Sequence, residues 1–236
     1  MIDNQREYIF IGIKNNGDWK EKSFLFNDEI SISNYIQEQS KFNVYRTMNT
    51  YSHSRRNKTN VLRILDMFVD FDCHEEPITI IQSQEILSSM KKYFNIEIPT
   101  PNLVLYTGRG MHFHIKIKNC FDAELYSATW KNLNKIFAKL IQELNIDLPN
   151  GAEVDLGCYG PDRFSRVEGT MNIESGKLCQ RIFESNFEYA ISELNETFIK
   201  ASSKNYSKEI NAGPIKDSII KQKLIETQKP NLNRKT

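Results

Sequence analysis

Met67-Phe68-Val69-Asp70-Phe71-Asp72 is a short apolar stretch that ends in two carboxylates one residue apart. Side chains alternate along a strand, so Val69 and Phe71 face a core while Asp70 and Asp72 share the other side. Two such carboxylates sit about 6–7 Å apart at their Cα atoms. With their charges ~5 Å apart at an effective dielectric near 20, repulsion is on the order of 3 kcal/mol. A divalent cation turns that cost into binding, and an all-oxygen donor set suits Mg²⁺ or Mn²⁺. Strands that run out into solvent also end in acids, so the pair takes its meaning from its surroundings.

Those surroundings begin with the bulk properties. The 236 residues suffice for one substantial domain with a tail. A hydrophobic share of 39% is that of a globular chain rather than a disordered one, and a net charge of +1 confines any basic surface to local patches. The first residues lack a signal-peptide core and no run is apolar enough to span a membrane. Cys73, Cys120, Cys158 and Cys179 are far apart in sequence, with no Cys-x-x-Cys. That spacing argues against a zinc ribbon and fits reduced thiols in a cytoplasmic protein.

Taken in order, Tyr8–Lys14 predicts a strand, Asn15–Asp18 a turn and Ser23–Phe26 its hairpin partner. Asn27 is placed to cap a helix to about Lys41, and Phe42–Met48 predicts a strand. Ser52–Lys58 is a basic loop whose Arg55, Arg56 and Lys58 would meet nucleic-acid phosphates if the next strand is catalytic. A helix is expected over Ser83–Phe94 and a strand over Leu103–Tyr106. Gly108-Arg109-Gly110 then turns into Met111–Lys118, where Met111, Phe113, Ile115 and Ile117 alternate with His112, His114, Lys116 and Lys118. Ala123–Leu144 predicts a long amphipathic helix burying Trp130, Leu133, Ile136, Phe137, Leu140 and Leu144. Ala152–Asn172, dense in Gly, Asp and Arg, is too irregular for a core element. A strand at Arg181–Phe183 and a helix near Phe187–Lys200 would close a domain of residues 1–200. Residues 201–236 are expected to be a basic, flexible tail with a short helix at Ile215–Glu226, suited to loose contact with nucleic acid.

Three stretches thus stand in order: Asp70-Phe71-Asp72, Gly108-Arg109-Gly110-Met111-His112, and Val154-Asp155 followed by Arg163-Phe164-Ser165-Arg166-Val167-Glu168-Gly169-Thr170-Met171-Asn172. This order, over roughly Phe42–Phe183, resembles the archaeo-eukaryotic primase superfamily, in particular the primase-polymerases of plasmid and phage replication proteins. The family's motifs are an Asp-x-Asp strand, a Ser-Gly-Arg-Gly-x-His-like turn, an apolar residue followed by Asp, and an Arg-x-Pro-Gly-Thr-x-Asn signature. This chain has Thr107, Glu168 and Glu174 where the family commonly has Ser, Pro and Lys. The resemblance implies an α+β fold, with an RRM-like, mostly antiparallel catalytic sheet, packed helices and an N-terminal α/β portion. It implies that Asp70, Asp72 and Asp155 hold two Mg²⁺ or Mn²⁺ ions for template-directed nucleotidyl transfer. Asp162 competes with Asp155 for the third place, and the apolar Val154 favours Asp155. His112 and the Gly108–Gly110 turn would meet the triphosphate of an NTP or dNTP, with Arg163, Arg166 and Lys116 adding charge. Arg109 would join them or face solvent. The expected partners are a single-stranded DNA template and a replicative helicase, since no P-loop follows Gly108-Arg109-Gly110.

A rival uses the same strand. His112-Phe113-His114 also resembles the HUH motif of rolling-circle endonucleases, where two histidines bind one metal and a tyrosine, here Tyr93 or Tyr126, attacks DNA. That reading leaves Asp70, Asp72 and the Asp155–Asn172 stretch without a role. A non-catalytic module for single-stranded DNA, built on the basic loop and the tail, leaves them idle too.

Overall fold

The computed structural model describes residues 6–197, apart from Phe121, Asn145 and the side chain of Asn119. The expected basic tail at 201–236, its helix at Ile215–Glu226 and the last residues of the helix expected to reach Lys200 lie outside the described residues. Strands β1 (Tyr8–Asn15) and β2 (Asp18–Leu25) form a hairpin. Its turn uses the positive φ of Asn16 and Gly17, 47° and 93°, which a tight hairpin needs. Pairing runs the whole length of β2, so that strand starts at Asp18 rather than Ser23. Helix α1 (Glu29–Glu38) is capped by Asp28, whose Oδ1 accepts from Ser31 N at 3.1 Å, one residue later than the expected Asn27.

Next come β3 (Asn43–Thr47), β4 (Thr50–Tyr51) and the 13-residue β5 (Val61–Cys73), which contains the acid-tipped stretch. Helix α2 (Ile80–Met90) starts three residues before the expected Ser83 because Thr79 and Gln82 form a reciprocal capping box. Strands β6 (Leu103–Tyr106) and β7 (Met111–Cys120) flank the glycine turn, and α3 (Ala123–Gln142) follows. The 152–172 segment supplies more order than its composition predicts: β8 (Ala152–Val154), β9 (Phe164–Arg166) and β10 (Met171–Asn172). Each is two or three residues long, too short for hydrophobic alternation to show. The small strand β11 (Lys177–Leu178) pairs β10, β12 (Gln180–Glu184) pairs β6, and residues 191–197 are helical.

Ten of these strands form one sheet in the order β12-β6-β7-β5-β4-β1-β3-β9, with β2 beside β1 and β8 beside β5. Every named pair is antiparallel, so the architecture is the expected α+β one. One face of β5 and β7 buries Met67, Val69, Phe71, Phe113 and Ile115 with Ile86 and Met90 of α2 and Leu133 and Phe137 of α3. A second cluster joins Ile9, Ile11, Ile13 and Val44 to Phe24 and Ile32. Among the described residues no helix is long and apolar enough to cross a membrane.

Strand β5 has β7 along one edge, while its other edge meets β4 and β8 only near its ends. Between them, side chains and a loop take the place of a neighbouring strand. Asn49 Oδ1 accepts from Leu65 N at 2.8 Å and Asp66 N at 3.3 Å. The Tyr126 hydroxyl donates to Asp66 O, Trp130 Nε1 donates to Phe68 O, and Asp155 N donates to Asp70 O at 2.8 Å. Buried backbone groups need such partners. Trp130→Phe, which keeps an aromatic ring but strands the Phe68 carbonyl, should cost about 2 kcal/mol. The loss should appear as a lower urea midpoint with an unchanged m-value.

Candidate active site

The register between β5 and β7 builds the site. Asp70 lies opposite His112 and Phe68 opposite His114, on the sheet face opposite the one that carries Met67, Val69 and Phe113. His112 Nε2 is 3.3 Å from Asp70 Oδ1, and both imidazoles lie over the Phe68 ring, at 4.7 and 5.3 Å between centroids. Both histidines are buried, at 6% and 1% exposure, whereas Lys116 and Lys118 further along β7 are exposed. Alternation places all four on one side but does not say where that side stops being solvent.

Across the other edge of β5, Phe71 pairs Val154 and Asp72 pairs Glu153. The Asp155 amide reaches Asp70 O, which sets the Asp155 carboxylate beside that of Asp70. Carboxylate oxygens of Asp70 and Asp155 and the Cys158 sulfur all lie within 4.8 Å of one another. The loop is held there from two sides: Asp155 Oδ1 accepts from Gly157 N at 2.7 Å, and Asn134 Nδ2 on α3 donates to Cys158 O at 2.9 Å. Burial, reinforced by the Asp70 charge, pushes the Cys158 thiol well above its ordinary value. The sulfur therefore stays a neutral thiol, and the charged donors are oxygens, a set that fits a hard divalent cation.

Asp72 stands apart from this trio. Its Oδ1 accepts from Cys73 N at 2.8 Å, and its Oδ2 is 3.3 Å from His74 Nδ1. Glu153 Oε1 is 4.0 Å from the other nitrogen of that imidazole. Four acids therefore form two ranks across β5 and β8 with the residue that follows it, Asp70 with Asp155 and Asp72 with Glu153. Tyr45 on β3 closes another side. The Arg166 guanidinium lies 4.7 Å over its ring, and burial raises its phenol, which also lies within reach of the charges of Asp70 and Asp72.

No protein-family model matches the chain. A curated "Replication protein" of Clostridium perfringens is 26% identical over 162 residues, 69% of this chain. The chain spans 37% of that relative's length. The AEP domain of the Cyanophage S-2L primase-polymerase superposes with a TM-score of 0.54 at 11% identity, over 82% of this chain and 89% of that one. The catalytic domain of primase RepB′, solved in complex with initiator DNA, gives 0.50 at 12% identity, over 86% and 91%. The chain has the archaeo-eukaryotic primase fold.

Within that primase fold, the sequence-predicted residues divide into two groups. Asp70, Asp155, His112, Arg163 and Arg166 come together, with Asp72 one pleat away. Arg163 donates to Gly157 O at 2.6 Å, beside the Asp155 loop, and Arg166 donates to Asn43 Oδ1 at 2.7 Å. The others have different surroundings. Arg109 neither faces solvent nor points at the acids: it pairs with Glu174 at 2.8 Å and donates to the Cys73 and His74 carbonyls. The Gly110 amide, expected to meet phosphate, donates instead to Thr107 Oγ at 3.0 Å. A Cβ on Gly110 would fall 1.9 Å from Phe71 O, so close packing on β5 is what demands glycine there. Gly108 adopts a φ of 91° against Asn172 and Ser175. Lys116 Nζ lies 3.4 Å from Glu188, two pleats beyond His112. Arg55 and Lys58 are exposed, while Arg56 pairs with Glu21 at 2.7 Å and Asp162 at 3.5 Å. Asp162 is thereby drawn away from the place for which it competed with Asp155.

The HUH arrangement finds less support. His112 Nδ1 and His114 Nε2 both contact Ser165 Oγ, at 2.8 and 3.1 Å, so the two rings do not turn free nitrogens toward a common point. Tyr126 is fully buried with its phenol raised far above the ordinary value by desolvation, which is unfit for attack on DNA. Sequence reasoning missed Glu153, Cys158 and Ser165. Glu153 alone left a signal, being two residues before Asp155 on what had to be the same strand face. Asp155→Asn should weaken Mn²⁺ binding by tenfold or more, about 1.4 kcal/mol. Titration calorimetry, or loss of the Mn²⁺-induced rise in melting temperature, checks it.

Proposed function

We propose that residues 1–200 are the catalytic domain of a replication primase-polymerase of a plasmid, phage or similar mobile element. It would act in the cytoplasm, with the remaining tail resting loosely on DNA. The observation that carries this reading is the convergence of Asp70, Asp155 and His112, from three separate stretches, on one face of the primase fold. The reaction is nucleotidyl transfer from an NTP or dNTP, directed by a single-stranded DNA template. A 3′-hydroxyl attacks the α-phosphorus, its proton leaves, and pyrophosphate departs. Asp70, Asp72 and Asp155 would hold two Mg²⁺ or Mn²⁺ ions, which supply charge stabilisation for the attacking and leaving oxygens. His112 Nε2 would donate to a phosphate oxygen of the nucleotide, with Arg163 and Arg166 beside it offering charge-assisted hydrogen bonds. Exposed Arg55 and Lys58 would follow the template backbone. A helicase partner fits a relative almost three times as long as the matched region.

Incubation with single-stranded DNA, Mn²⁺ and labelled nucleotides tests the reading. Strands should grow, and Asp70→Ala should reduce incorporation by about a thousandfold while the circular dichroism spectrum is unchanged. His112→Ala should raise the nucleotide KM about tenfold with a smaller change in kcat. Strand cleavage leaving protein attached to a DNA end, or incorporation that survives Asp70→Ala, would sink the primase assignment.

A further inference from the structure

A line of polar contacts runs inward from the site. Asp70 Oδ1 lies 3.3 Å from His112 Nε2, and His112 Nδ1 lies 2.8 Å from Ser165 Oγ. Ser165 Oγ lies 3.1 Å from His114 Nε2, and His114 Nδ1 lies 3.1 Å from Asp66 Oδ2. Apart from Asp70, every member is buried: Asp66 at 9% exposure, His112 at 6%, His114 and Ser165 at 1%. Ser165 sits on β9, which pairs with β3, so this hydroxyl is delivered by the N-terminal part of the sheet to histidines on β7.

A hydroxyl has one hydrogen to give. Set between two imidazole nitrogens, Ser165 donates to one and accepts from the other; its contact to Arg166 O, at 3.5 Å, is the longest it makes. Of the two facing nitrogens, one therefore carries hydrogen and the other does not. Both ends of the line select the same direction. At the inner end, Asp66 Oδ1 is buried with no hydrogen-bond partner among the described residues, and burial raises the carboxyl while His114, the Ile115 backbone and the Lys116 charge oppose the shift. An ionised Asp66 beside a neutral imidazole would leave a single charge in the interior, so the pair shares one proton, on either member. In both forms His114 Nε2 keeps its hydrogen and donates to Ser165, which then donates to His112 Nδ1. At the outer end, a bare Nε2 facing the Asp70 carboxylate would repel it, whereas Nε2–H donates to it.

We infer that Ser165, backed by the Asp66–His114 pair, fixes His112 as the tautomer with hydrogen on Nε2. The ring then presents a permanent donor to the site, one that suits an anionic phosphoryl oxygen and is closed to metal ligation. That last step rests on the proposed function, in which His112 meets the nucleotide triphosphate; the tautomer itself does not. Ser165 and His114 are positioning residues that touch no substrate.

Long-range ¹H–¹⁵N correlation spectra of the full chain with ¹⁵N-labelled histidine read the tautomer without catalysis. Native protein should show His112 with hydrogen on Nε2. Ser165→Ala, which removes one buried oxygen, should fold normally, mix the two tautomers, and weaken binding of a non-hydrolysable nucleoside triphosphate about tenfold. Ser165→Thr should restore both readouts. Hydrogen on His112 Nδ1 in the native chain, or a tautomer that ignores Ser165→Ala, overturns the inference. A tautomer that shifts without any loss of nucleotide affinity overturns its link to the nucleotide. A chain that shows the expected tautomer but incorporates no nucleotide would refute the primase reading and leave this wiring intact.

Discussion

A backbone hydrogen bond, from the Asp155 amide to the Asp70 carbonyl, decides whether this molecule has a site at all. Two carboxylates that repel are held side by side because the chains carrying them are tied at main-chain level. On one flank β8 pairs with β5; on the other, Asn134 anchors the loop to α3. Electrostatics would separate Asp70 from Asp155, and covalent continuity through β8 prevents it. The repulsion between these two carboxylates is thus offset by packing elsewhere, a common arrangement at functional sites.

The interior line from Asp66 to His112 obeys a related economy of charge. Burying a carboxylate and two imidazoles costs more than burying hydrophobic residues of similar volume. Here the loss is limited by pairing along the line, with Phe68 beneath both rings and Ser165 joining them. The same hydroxyl connects β9, which pairs with β3, to the histidines of β7, which pairs with β5 and β6, so a polar contact links strands that lie far apart in the sheet order.

Elements with a clear period could be read from sequence. The alternation in Met111–Lys118 gave the core face of β7, and the spacing of Trp130, Leu133, Phe137 and Leu140 gave the buried stripe of α3. Motif order gave the primase resemblance. Features set by tertiary placement could not be read. His112 and Lys116 share a face and a pattern, yet one is buried and the other exposed, because Ser165 and Phe68 pack on the histidines and not on Lys116. Arg109 looked like a phosphate contact, but its local geometry hands it to Glu174 and two carbonyls. The three short strands of 152–172 carry too few residues for any period to emerge.

The departures from the family signature become intelligible from their partners. Glu174, where lysine is common, pairs with Arg109 and sits 3.8 Å from Lys14. Glu168, where proline is common, pairs with Arg181 at 2.7 Å, next to a Gly169 whose φ of 79° makes the turn without a proline. Thr107 supplies the same hydroxyl as serine, and its Oγ holds the Gly110 amide. Each change therefore falls on the scaffold that shapes the glycine turn and the 163–172 loop. None of the three falls on Asp70, Asp155 or His112.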